Sequence, residues 1–83
     1  MISPEQCKAA RALLGWSQTE LMRTAGLTQA TVSSFEKGGT MRASNNEKIQ
    51  AALEGAGVLF IDDKETSKNA GPGVRLSKSP SNQ

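Results

Sequence analysis

The sequence contains no histidine and no tyrosine. Without histidine there is no side chain of the kind that usually shuttles protons near neutral pH, and no Ser-His or Cys-His nucleophile. The single cysteine, Cys7, excludes an intrachain disulfide framework and a cysteine-rich metal cluster. No apolar run approaches the roughly 18 residues that a membrane span needs. The first residues form no apolar stretch of the signal-peptide kind, so the expected compartment is a reducing cytoplasm. Excess charge is also scarce. Ten Lys and Arg against eight Asp and Glu leave a net +2, which permits an anionic partner without demanding one. A chain of 83 residues buries roughly 60% of its unfolded surface, leaving little room for both a core and a large substrate cavity. These absences argue against an enzyme and point to a binding or scaffolding module with no cofactor and no metal.

What is present is a series of helix signals in residues 1–57. Ser3-Pro4-Glu5-Gln6 offers an N-cap, a proline suited to the first helical position, and a glutamine that closes a capping box. Cys7, Ala10, Arg11 and Leu14 then share one helical face, and Gly15 stands where the helix stops. Ser17 with Glu20 forms a second capping box, followed by Leu21, Met22 and Ala25 as an apolar face. Thr28 caps a third segment, residues 29–36, whose apolar pair is Val32 and Phe35. Its Val, Thr and Ser content makes it a mediocre helix on its own, so packing must hold it. Ser44-Asn45-Asn46-Glu47 reads as a third capping box, before a helix with Ile49, Ala52, Leu53 and Ala56 on one face. The pattern then changes. Val58-Leu59-Phe60-Ile61 is a β-prone run, and Val74-Arg75-Leu76 is a second extended candidate. The polar stretch between them reads as a long turn, and residues 77–83 as a frayed tail.

Residues 18–37 carry the functional signal. A short helix, a three-residue turn containing Gly26, and a second short helix make a helix-turn-helix. Leu21, Ala25, Leu27, Val32 and Phe35 fix the angle between the helices by burying their contact. The second helix keeps small polar residues on its outer face. A helix fits the major groove, where short hydrogen-bonding side chains near its start meet base edges.

The residues Arg11-Ala12-Leu13-Leu14-Gly15-Trp16-Ser17-Gln18-Thr19-Glu20-Leu21, followed by Ala25-Gly26-Leu27-Thr28-Gln29-Ala30-Thr31-Val32-Ser33-Ser34-Phe35-Glu36, resemble the Cro/repressor type of helix-turn-helix protein, the XRE family. The likeness covers about residues 4–57. It implies a mainly α, lambda-repressor-like bundle of four to five short helices, and the two extended segments outside that likeness add a short C-terminal β extension. It implies a DNA-binding regulator that acts as a homodimer on an operator in double-stranded DNA. By this resemblance Gln18 touches a phosphate and braces the second motif helix, Thr28 caps that helix and contacts backbone phosphate, and Gln29 reads a base edge. Ala30, Thr31, Ser33 and Ser34 face the groove or its flanking phosphates, Lys37 and Arg42 hold phosphates, and Arg11 pairs with Glu36. Met22 departs from the pattern, because the family prefers a very small residue at that close approach. Methionine is adaptable enough to repack there.

The remaining features have plainer readings. Trp16 covers the junction of the first two helices, and Cys7 is an inert core residue. Asp62, Asp63 and Glu65 are solvated carboxylates, and Gly71-Pro72-Gly73 is a turn. The apolar run Val58, Leu59, Phe60, Ile61 is expected either to pack on the bundle or to pair with a second copy across a two-fold axis. The chain accordingly divides into a DNA-binding bundle (1–57), a β element for packing or dimerisation (58–76) and a tail (77–83). A second reading is an antitoxin-like module that binds a toxin or other regulatory protein through residues 62–83 while regulating its own operon. Arg11 is expected to be neutralised by Glu36, and Lys68, Arg75 and Lys78 follow the last acid, Glu65. The DNA face therefore rests on few charges, chiefly Lys37 and Arg42.

Overall fold

Three hydroxyl side chains set the starts of the first three helices. In the computed structural model, which describes residues 1–61 and 73–76, these helices are α1 (Pro4–Leu14), α2 (Gln18–Ala25) and α3 (Gln29–Glu36). Ser3 Oγ accepts from the Gln6 N–H at 3.0 Å, Ser17 Oγ from the Glu20 N–H at 3.2 Å, and Thr28 Oγ1 from the Thr31 N–H at 3.1 Å. Both capping boxes close in return, with Gln6 Oε1 accepting from the Ser3 N–H and Glu20 Oε1 from the Ser17 N–H, each at 2.9 Å. Gly26 ends α2 at φ +73°, a conformation glycine adopts without steric cost.

The fourth helix, α4 (Ala43–Gly55), begins one residue before the expected cap. Ser44 lies inside its first turn, and Arg42 occupies the N-cap position with no side-chain capping bond. The reason is Asn46, which is 1% exposed and committed elsewhere. Its Oδ1 accepts from the Ile2 N–H at 3.0 Å, and its Nδ2 donates to the Ile2 carbonyl at 3.0 Å. These two buried bonds anchor the first turn of α4 to the N-terminal segment. An unsatisfied buried amide costs about 1–3 kcal/mol, at least as much as a typical exposed cap contributes.

Two strands complete the described chain. β1 (Val58–Ile61) pairs antiparallel with β2 (Gly73–Leu76), placing Val58 opposite Leu76, Leu59 opposite Arg75, Phe60 opposite Val74 and Ile61 opposite Gly73. The two-residue period directs Val58, Phe60, Val74 and Leu76 onto the bundle and leaves Leu59 and Arg75 exposed. An isolated two-stranded hairpin is marginal in water, and this one is supported by packing against α1 and α4. Gln6 ties it down, its Nε2 donating to the Gly73 carbonyl at 3.1 Å and reaching the Ile61 carbonyl at 3.4 Å.

Every element contributes to one core. Cys7 and Ala10 of α1, Leu21 of α2, Val32 and Phe35 of α3, Ile49 and Leu53 of α4 and Val58 of β1 are all buried in a single cluster, with Ile2 beside them. Among the described residues no helix is long and apolar enough to cross a membrane. Asp62, Asp63, Glu65, Lys68, Gly71 and Pro72, together with residues 77–83, lie outside the described residues, and with them most of the segment assigned to a protein partner.

Candidate nucleic-acid interface

Helix α3 divides its eight residues between inside and outside. Val32, Phe35 and Glu36 are buried, while Gln29, Ala30 and Ser34 are exposed and Thr31 and Ser33 are half-buried. The inner residues meet α2 through Leu21 and the half-buried Ala25 and Leu27. Met22 is half-buried against the same core, so its extra length is absorbed without separating α2 from α3.

The chain after α3 folds back on that helix. The Gly39 N–H donates to the Ser34 carbonyl at 2.9 Å. A Cβ at Gly39 would stand 2.7 Å from Ser34 Oγ and 2.9 Å from the Ser34 carbonyl oxygen, so only glycine fits without displacement. This close approach brings the α3–α4 loop beside the outer face of α3. Two open depressions result. One is lined by Ala30, Ser33, Ser34 and Lys37 with Gly38 and Gly39. The other is lined by Ala30, Thr31, Ser34 and Arg42 with Thr40, Met41 and Asn45. Ala30 and Ser34 border both, so Lys37 and Arg42 flank a surface whose centre is small and neutral. Thr28 sits at its edge, its Oγ1 within 2.8 Å of Thr31 Oγ1.

A hydrogen-bond network runs from this surface into the interior. Gln29 Nε2 donates to Gln18 Oε1 at 2.8 Å, and Thr19 Oγ1 donates to Gln29 Oε1 at 3.3 Å. Gln18 Nε2 donates to Glu36 Oε1 at 3.0 Å. Arg11 donates from Nη2 to Glu36 Oε1 at 2.7 Å and from Nε to Oε2 at 2.8 Å, a two-point ion pair. Arg11 Nη1 also donates to the carbonyl of the half-buried Trp16 at 3.0 Å, which fixes the joint between α1 and α2. Burial by itself would raise the Glu36 carboxyl, but the bonds from Arg11, Gln18 and Cys7 overcome it and hold the group below its ordinary range. The same bond to Glu36 raises Arg11 against the opposing effect of its burial. Burial, reinforced by the carboxylate, pushes the Cys7 thiol well above its ordinary value, so it stays protonated.

Residues 8–58, from within α1 to the first residue of β1, match the family described as Helix-turn-helix. The chain belongs to this family, in its Cro/repressor type. No curated protein matches the sequence. The family makes this chain a DNA-binding transcription regulator in general terms. In this helix-turn-helix protein the motif is α2, the Gly26 turn and α3, and the four-helix bundle with its terminal hairpin is the lambda-repressor-like architecture.

Of the residues singled out in the sequence, Gln18, Gln29, Arg11 and Glu36 stand in one network, and Ala30, Thr31, Ser33, Ser34, Lys37 and Arg42 border the two depressions. Val58 lies apart from them, buried in the chain's own core, while Leu59 on the outer hairpin face is 40% exposed. Sequence reading missed the places of Cys7 and Thr19 in this network. Cys7 Sγ donates to Glu36 Oε2 at 3.1 Å, a contact foreshadowed only by the one-turn spacing of Cys7 and Arg11 on α1. Thr19 joins the network through its hydroxyl, with no signal in the sequence.

Proposed function

We propose that this helix-turn-helix regulator is a repressor that binds a palindromic operator as a homodimer, with α3 of each copy in the major groove. The observation that carries this reading is the arrangement of α3. Its exposed face holds Gln29 in a defined pose, small neutral residues follow it, and cations stand at the edge. Small side chains let a helix approach the floor of the groove, and Gln29 offers the donor and acceptor that pair with adenine N6 and N7. Lys37, Arg42, Gln18 and Thr28 supply phosphate contacts, which set register and affinity. Two cations give few phosphate contacts and a weak salt-dependent term. Pairing two copies doubles both that term and the bases read. Of the run expected to pair, Val58 and Phe60 face the bundle, and Leu59 and Ile61 with Arg75 form the outer hairpin face that would serve that pairing. The described residues span 33 × 32 × 18 Å, commensurate with copies side by side on half-sites about 34 Å apart. A dimer covering its operator excludes other proteins from that DNA, which is repression, and its site of action is the cytoplasm.

Selection of bound duplexes from a random DNA library tests this reading. The expected product is a motif with two-fold symmetry. Gln29→Ala is expected to weaken binding to it by about 1–3 kcal/mol and to relax preference at one position in each half-site. Enrichment of no motif would overturn the reading. Leu59→Asp is expected to convert a dimer, weighed by light scattering, to a monomer, and a wild type that stays monomeric at high concentration would remove the dimer from it.

A further inference from the structure

Glu36 is where the interior meets the proposed DNA face. The residue is 6% exposed, and each carboxylate oxygen accepts two hydrogen bonds. Oε1 takes Arg11 Nη2 and Gln18 Nε2, and Oε2 takes Arg11 Nε and Cys7 Sγ. An ionised carboxylate only accepts, and it has about four lone-pair sites, so this one is saturated. The consequence for Gln18 is directional. The end of its amide against Glu36 must be the NH2, because a carbonyl there would face a negative charge. That turns Gln18 Oε1 outward, where it accepts from Gln29 Nε2. The Gln29 amide is then ordered in turn, with its NH2 toward Gln18 and its carbonyl toward the Thr19 hydroxyl. A primary amide has two N–H donors and two lone pairs. Gln29 uses one of each on these neighbours, leaving one of each for a base.

We propose that Glu36 is a specificity-positioning residue, whose buried carboxylate sets the polarity of the Gln18–Gln29 amide relay and so fixes the order in which Gln29 presents donor and acceptor to a base pair. The inference rests on the reading of Gln29 as a base-contacting residue. Where an A·T pair shows the adenine N7 acceptor and then the N6 donor, a T·A pair shows the thymine methyl and then the O4 acceptor, which takes the amide the other way round. An amide held in one order matches one of these pairs. An amide free to turn over matches both. Glu36 therefore determines which strand carries the adenine, without touching DNA. Replacing it with glutamine leaves the volume but offers Gln18 either end of a neutral amide, and the directional constraint is gone.

The test uses the full chain and duplexes selected by the wild type. Gln29→Ala identifies the base pair whose preference depends on Gln29, and that pair is then made A·T, T·A, G·C and C·G. Binding is titrated for the wild type, Glu36→Gln, and the double variant Arg11→Met/Glu36→Met, in which apolar side chains replace both charges. The wild type is expected to separate A·T from T·A by on the order of tenfold or more. Both variants are expected to bring that ratio to within about threefold of unity, and adding Gln29→Ala to either should change it no further. A purely structural role would leave the ratio unmoved, because partial unfolding lowers every apparent affinity by the same fraction. If Glu36→Gln does not fold, the double variant decides. A folded variant that keeps the wild-type ratio while weakening all four duplexes alike overturns the inference alone. A wild type without preference among the four duplexes overturns the reading of Gln29 as well.

Discussion

Replacing Arg11 with methionine keeps most of the side-chain bulk and removes three donors. Two of them meet Glu36 at 2.7 and 2.8 Å, and the third meets the Trp16 carbonyl at 3.0 Å. The Glu36 side chain, 4% exposed, is left with only Gln18 and Cys7 as donors. Breaking a buried pair from one side costs about 3–5 kcal/mol. Because the Arg11 side chain is 19% exposed, water already offsets part of its charge, which places the expected loss near the lower end, about 3 kcal/mol. Domains of this size have a total stability of about 4–12 kcal/mol, so the variant should melt roughly 12–24 °C lower. The sign of the pH response should also reverse. In the wild type Glu36 lies below its ordinary value of 4.5, so its contribution is complete above that value and is lost as the pH falls through the folded-state value. Without Arg11 the largest single influence left is burial, which acts to raise the carboxyl, and the variant should gain stability as the pH falls from 7 toward 5. Urea unfolding followed by the fluorescence of Trp16, the only tryptophan, reads both effects. Arg11→Met/Glu36→Met should recover much of the loss at pH 7. A cost below about 1 kcal/mol, or a single variant that loses stability on acidification as the wild type does, would refute the reasoning.

Three further outcomes follow from other parts of the fold. Gly39→Ala places a Cβ against the Ser34 backbone carbonyl and should cost about 1–3 kcal/mol in a thermal melt; an unchanged melting temperature would mean that the loop does not press on α3 as described. Gln6→Ala removes one half of a capping box and the tie to the hairpin, costing about 1–2 kcal/mol. Hydrogen exchange at the amides of β1 should then accelerate more than at those of α2 and α3, and a uniform change would contradict the tie. Arg42→Ala should weaken binding to all duplexes alike and reduce the slope of log affinity against log salt by roughly 1, whereas a sequence-dependent loss would make Arg42 a base reader.

Much of the fold is legible along the chain because its signals are local. Ser3, Ser17 and Thr28 each need only the residue three positions on to cap a helix, and Gly26 needs only its own backbone to turn. The apolar spacing of Cys7 and Ala10, or of Ile49 and Leu53, reports one helix face irrespective of what covers it. The start of α4 escaped this logic. Ser44 has the local pattern of a cap, but Asn46 is held by Ile2, a residue 44 positions away, and no window on the sequence weighs those bonds. The spacing of Asn46, Ile49 and Leu53 on one face was the available sign that Asn46 points inward. The hairpin is a second case. β-propensity marks Val58–Ile61 as a strand, but only the packed bundle determines that Val58 is buried while Leu59 stays exposed.

The site divides in the same way. The sequence alone determined a helix-turn-helix with small polar residues and Gln29 at the start of its second helix, because caps, turn and amphipathic spacing are properties of neighbouring residues. Only the tertiary structure decided what orients Gln29. Arg11, Gln18 and Glu36 come from three helices, and Cys7 from the first of them, yet they meet at one saturated carboxylate. Hydrogen bonds act over about 3 Å of space whatever the separation along the chain, so the direction of an amide on the outer face is set by a charge in the interior.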